Sequence, residues 1–168
     1  MLKILQYPNP RLNQQARKVT VFDEALQKTI DDMFETHYAA ENCAALAATQ
    51  LDLQDPPHVT VIDFSAEKNQ PLCLVNGEIV AREGELLEPE GCMSIQGAYE
   101  SVKRATKIKV KAQDRHGNPL EFEAEDFMAK CIQHELDHLN GVIFIDRLSR
   151  LKRERVDKKI LKVKRLEA

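Results

Sequence analysis

The sequence predicts an α+β fold, on three observations: a helical stripe opens the chain, alternating apolar positions fill its middle, and two further helical stretches close it. Helices and antiparallel strands are thus segregated instead of alternating as βαβ units. Phe22, Leu26, Ile30, Met33 and His37 recur at helical spacing around Asp23, a capping residue, and predict a first helix over 23–41. His37 on that stripe reads as a core or edge histidine, not a ligand. Residues 58–64 and 71–76 are β-branched or apolar runs and predict strands. Ile108, Val110 and Ala112 alternate with lysines up to Asp114-Arg115-His116-Gly117-Asn118, and Leu120, Phe122 and Ala124 alternate beyond it, which predicts an antiparallel hairpin over 105–125. A helix over 126–140 ends at Gly141. A last, basic helix occupies 149–168.

A chain of 168 residues reads as one domain, 1–168, large enough to bury about two thirds of its unfolded surface. Its apolar fraction of 43% is that of a soluble protein, and no run approaches the length of a membrane span, so no membrane partner is expected. Pro8 and Pro10 interrupt the N-terminal stretch before a signal-peptide core could form. Cys43, Cys73, Cys92 and Cys131 contain no CxxC pair and fit a reducing compartment. The expected location is the cytoplasm. A net charge of −3 argues against general binding to DNA.

Within the second helical stretch, His134-Glu135-Leu136-Asp137-His138 places two imidazoles four residues apart, one turn apart on one helix face. Both can bind one metal ion. A divalent metal held this way lowers the pKa of a water toward neutrality, and Glu135, beside the first histidine, can take and return that water's proton. The same five residues also occur by chance on surface helices, so a third ligand is the discriminating feature. Glu90-Gly91-Cys92-Met93-Ser94 offers Cys92, after a glycine that lets backbone approach closely. Two imidazoles and a thiolate leave a fourth position open, which is the catalytic pattern. Cys131, three residues before His134, could share the helix face of both histidines. Spacing does not choose between the two thiols.

The order of Leu46-Ala47-Ala48-Thr49-Gln50, Glu90-Gly91-Cys92-Met93-Ser94 and 133–141, read QHELDHLNG, resembles the three motifs of bacterial peptide deformylases. The likeness runs from Tyr7-Pro8 and Arg11-Leu12 to Asp146-Arg147-Leu148-Ser149. It implies antiparallel sheets around a central HExxH-bearing helix, with N-terminal and C-terminal helices. It implies a metal held by Cys92, His134 and His138, with Cys131 left as a packing residue at the pocket. Fe(II) is the ion implied in cells, although the donor set would also hold Zn(II) or Ni(II). The implied reaction removes the N-formyl group from the initiator methionine of nascent peptides. Glu135 serves as general base, and the side chain of Gln50 and the backbone N–H of Met93 stabilise the oxyanion. The implied substrate pocket draws on Ala44, Ala45, Leu46, Gly91, Tyr99, Phe127, Lys130 and Cys131.

Two positions depart from the family pattern. Its first motif usually has glycine, any residue, glycine before the leucine, where this chain has Cys43-Ala44-Ala45. If either glycine served a positive φ, the replacement would cost on the order of 1 kcal/mol; if it only let substrate backbone lie close, the added methyl narrows the cleft. Lys130 stands where the family tends to have an apolar residue, and is expected either to pair with Glu88 or to extend to solvent.

From Arg150 to Arg165 the basic residues are Arg150, Lys152, Arg153, Arg155, Lys158, Lys159, Lys162, Lys164 and Arg165, opposed by Glu154 and Asp157. Leu151, Val156, Ile160 and Val163 fall near helical spacing, so the segment reads as an amphipathic helix with a basic outer face. The resemblance implies docking on the ribosome through that face, phosphate-rich RNA supplying the opposite charge. Two other classes compete. A zincin-type endopeptidase would take its third ligand downstream of the motif, but His37, His58 and His116 all lie upstream. A non-catalytic or altered-specificity deformylase-like protein, binding chain ends or the ribosome, draws support from the changed 43–45 segment.

Overall fold

The computed structural model describes residues 1–167, without the side chains of Lys164, Leu166 and Glu167; the expectations that fall on Ala168 and on the Lys164 side chain lie outside the described residues. Helix α1, Glu24–Ala39, starts as expected at Asp23, whose Oδ1 accepts the N–H of Leu26 at 3.0 Å. Strands β1 (Ala45–Ala47), β2 (Val59–Ile62), β3 (Leu72–Glu83), β6 (Lys107–Gln113) and β7 (Pro119–Glu125) form an antiparallel sheet in the order β1-β2-β3-β6-β7. Strands β4 (Leu86–Cys92) and β5 (Ile95–Arg104) form a separate antiparallel pair. Helix α2, Asp126–Leu139, carries the histidines, and helix α3, Arg150–Glu167, ends the chain. The class is α+β, as the segregation of elements predicts.

Two buried clusters hold these parts together. One joins α1 (Ile30, Met33), the large sheet (Leu46, Val61, Leu74, Ile108) and α2 (Ile132, Leu136, Leu139). The other joins the N-terminal segment (Leu5, Leu12), β5 (Ile95, Ala98, Val102), Phe144 and α3 (Val156, Ile160). Each fully buried aliphatic side chain here contributes about 1.5–3 kcal/mol. Polar bridges tie α2 to the β4–β5 pair as well, so the HExxH helix lies between the two sheets.

The strand expected over 71–76 runs on to Glu83. Asn76, with φ 53°, and Gly77 form an irregularity there and do not end it. The Asn76 side chain bonds both the N–H and the carbonyl of Val19, and Gly77 lacks the Cβ that would press on Leu136 of α2 at 3.0 Å. The β4–β5 pair was not legible, because the stretch mixes Glu, Pro and Gly and the buried apolar positions of β5, Ile95, Ala98 and Val102, do not keep strict alternation. In α3, Val156 and Ile160 are buried as the periodicity predicts, but Leu151 is 68% exposed.

Candidate metal centre

Helical geometry sets the first two donors. His134 and His138 sit one turn apart on the buried face of α2, with their Nε2 atoms 3.1 Å from each other. The third donor comes from the end of β4, where Cys92 Sγ lies 3.4 Å from His138 Nε2. One ligand atom from each of the three residues falls within 4.8 Å of the other two, and Cys131 is not in that group. Cys131 is instead a buried residue of the adjacent wall, its thiol pushed up strongly by burial. Two imidazole nitrogens and a sulfur converging this closely in a buried space are a donor set matched to a borderline-soft divalent cation.

The protein dictates which lone pairs face inward. His134 Nδ1 donates to Glu90 Oε1 at 2.8 Å, so its Nε2 is the free donor. Glu90 is in turn gripped by Arg104, whose Nε and Nη2 donate to its two oxygens at 2.8 and 2.9 Å. Arg104 also donates to Asp137, whose carboxylate accepts two further bonds from Arg147 at 2.6 and 2.7 Å. Burial would raise the Glu90 carboxyl, but the Arg104 fork and His134 outweigh it and hold it at about 2. Burial above all, with the charge of Arg104 in the same sense, lowers the pKa of His138 well below its ordinary value and keeps it neutral, the form that ligates. Sequence reading missed Arg104 and gave no role to Glu90 or Asp137. The last two lie inside motifs already noted, whereas an isolated arginine on a strand carries no signal.

Glu135, next on α2, is buried and its Oε2 has no partner among the described residues. Burial pushes its carboxyl up to about 7. Gln50 is turned by its own neighbour: its Oε1 accepts the N–H of Ala47 at 2.9 Å, which leaves Nε2 facing Ser94 Oγ at 3.2 Å and Cys92 Sγ at 3.5 Å. The N-terminal segment clamps this corner, with Leu5 N–H on the carbonyl of Gln50, Gln6 Nε2 on that of Met93 and Tyr7 N–H on that of Ser94.

A cleft of about 770 Å³ opens beside these residues. Its wall brings together Gln50, Cys92, Met93, His134 and Glu135 with the expected pocket residues Ala44, Ala45, Gly91, Tyr99, Phe127, Lys130 and Cys131. Leu46 is a correction: its side chain points to the opposite face of β1 and is fully buried in the main core. Gly91 is on the wall as expected, and a Cβ there would press on the ring of Tyr99, which lies over this backbone. Neither Cys43 nor Ala45 has a positive φ, so the changed motif carries no backbone strain and Ala45 simply adds its methyl to the wall. Lys130 does pair with Glu88, at 3.6 Å, and donates to the carbonyl of Pro89 at 2.8 Å.

The sequence pattern of the polypeptide deformylase family matches residues 1–154. Peptide deformylase 1 of Coxiella burnetii is 68% identical over 166 residues, 98% of each chain. The peptide deformylase of Chromobacterium violaceum is 51% identical over 162 residues, 96% of this chain and 95% of that one. Among solved structures, a peptide deformylase from Legionella pneumophila superposes with a TM-score of 0.91 at 46% identity, covering 98% of this chain and 96% of its own.

Proposed function

The chain belongs to the polypeptide deformylase family and is a metal-dependent hydrolase that removes the formyl group from nascent peptides; on that premise we propose how its residues divide the reaction and where it works. The observation that carries the assignment is the convergence of Cys92, His134 and His138 beside the unpartnered carboxylate of Glu135. A merely binding protein has no use for that arrangement.

Cys92, His134 and His138 would hold one divalent ion, Fe(II) in the cell, with Zn(II) and Ni(II) as ions the same donors accept. When bound, the ion lowers the pKa of water and polarises the formyl carbonyl. Glu135, with a carboxyl near neutrality, takes a proton from the water that attacks the formyl carbon. It returns the proton to the amine nitrogen as the C–N bond breaks, which leaves formate and a free N-terminus. Gln50 Nε2 and the N–H of Met93 donate to the oxyanion; losing one such donor costs roughly a hundredfold in rate. The substrate backbone adds to the free edge of β1, since Ala44 and Ala45 line the cleft and β1 has a neighbour on one side only.

N-formylmethionyl chains are met as they emerge, and α3 offers a ribosome-docking face on which Arg150, Arg153, Arg155, Lys158, Lys159 and Lys162 are exposed. No described helix is long and apolar enough to cross a membrane, and the whole chain is proposed to act as one catalytic domain in the cytoplasm. The test is formate release from formyl-Met-Ala-Ser, against unformylated and internal peptides as controls. Turnover of the formylated peptide alone is the expected result, and cleavage of the internal peptide would restore the endopeptidase reading.

A further inference from the structure

Cys43 and His37 contact each other behind the cleft wall, and neither has a role in the chemistry described above. His37, 2% exposed in the last turn of α1, has Nε2 at 2.9 Å from the carbonyl of Asp63 and Nδ1 at 3.2 Å from Cys43 Sγ. A carbonyl only accepts, so the imidazole proton is on Nε2, and Nδ1 presents a lone pair to the thiol at 3.2 Å, a shorter and more basic acceptor for its one proton than the carbonyl of Ala45 at 3.5 Å. Both groups are then neutral. Burial acts in the same sense, lowering the pKa of His37 and pushing the Cys43 thiol up to about 12.

What the pair joins is informative. Cys43 immediately precedes Ala44 and Ala45, the residues through which β1 borders the cleft, whereas Cys43 itself is not on the wall. Asp63 immediately follows the residue that pairs with Ala45, and its N–H donates to the carbonyl of Ala44 at 3.0 Å. Asp63 is itself fixed by Tyr38 O–H at 2.6 Å, Ser65 N–H at 3.0 Å and Gln70 N–H at 3.2 Å. The imidazole therefore ties the leading end of a three-residue edge strand to a rigid corner of the protein. A strand end left loose would have to be ordered when a peptide paired with it, which weakens binding.

We propose that His37 and Cys43 are positioning residues for the substrate-binding edge of β1, joined by a thiol-to-imidazole hydrogen bond that holds residues 43–45 ready for an incoming peptide backbone. The inference rests on the reading that substrate pairs with this edge. Its effect falls on peptide binding and not on the hydrolytic step, because neither residue reaches the reacting atoms.

The experiment measures KM and kcat for formyl-Met-Ala-Ser on metal-loaded Cys43→Ala, Cys43→Ser, His37→Met and the Cys43→Ala/His37→Met double variant. Cys43→Ala should raise KM roughly threefold to tenfold, the size of one neutral hydrogen bond. Its kcat and metal content should match the parent. Cys43→Ser keeps a donor and should restore the parental KM, and His37→Met should add nothing in the Cys43→Ala background. An unchanged KM in Cys43→Ala, an equal loss in Cys43→Ser, or a loss confined to kcat overturns the positioning role alone. A parent that releases no formate overturns both this inference and the reading of the site. The two Cys43 variants suffice where a His37 variant does not fold.

Discussion

His134 Nδ1 and Glu90 Oε1 are joined by a 2.8 Å hydrogen bond, and Arg104 grips both oxygens of Glu90, so the orientation of a metal-facing imidazole on α2 is fixed from strand β4. Partners of this kind contribute roughly 10–100-fold in metal affinity. Glu90→Ala should therefore weaken metal retention by that order, whereas Glu88→Ala, at the exposed rim, should leave it unchanged. Metal content after dialysis against a graded chelator series reads both.

The two thiols near α2 should separate completely. Cys92→Ser replaces a thiolate by a hydroxyl in a set that suits soft ions, and should lose metal and activity together. Cys131→Ser should keep both, since its sulfur is outside the converging group. Stoichiometric metal in purified Cys92→Ser would refute the ligand assignment.

Glu135→Ala should bind metal at parental stoichiometry and lose turnover, because its carboxylate moves a proton and does not ligate. A variant that keeps most of its formate release would require another base. The cleft wall holds a second carboxylate close by, Glu90, but Arg104 keeps it far too weak a base for the task.

Acid stability should report on Asp63. Burial would raise this carboxyl, but Ser65, Tyr38 and Gln70 donate to it and hold it at about 2, below the usual carboxylate range. A group whose folded pKa is depressed stabilises the fold above its unfolded value, near pH 4, and that contribution drains away as pH falls toward about 2. Thermal unfolding of Asp63→Asn should start from a lower Tm at pH 7 and show less further loss between pH 4 and pH 2 than the parent. Parallel curves would exclude the linkage.

Docking through α3 is best probed by charge and not by deletion, since removing the helix would strip Val156 and Ile160 from the second core. Replacing exposed Lys158, Lys159 and Lys162 by Glu should abolish a salt-sensitive co-sedimentation with ribosomes while formyl-Met-Ala-Ser is hydrolysed at the parental rate. Equal co-sedimentation of both proteins would make the basic face a solvated surface only.

Local periodicity determined much of this molecule before any contact was considered. The Asp23 cap, the helical stripe to His37, the alternation around Asp114–Asn118 and the one-turn spacing of His134 and His138 are short-range patterns, each confined to neighbours in the chain. They specify where the helices and the hairpin of β6 and β7 fall and that two imidazoles share a face. What they leave open is every relationship between distant segments. Spacing treats Cys92 and Cys131 alike, and only the approach of β4 to α2 puts one sulfur beside the histidines. Arg104 is unremarkable in sequence, and its role arises where β5 crosses behind Glu90 and Asp137. Leu46 belongs to the core and not to the cleft, because the strand alternates its faces and the core lies on one of them. The contact of His37 with Cys43 joins the end of a helix to the start of a strand, across a turn whose path no propensity dictates. For the two thiols and for Arg104 the deciding energy is a buried contact between elements far apart in the chain, which exists only once the two sheets have closed on α2.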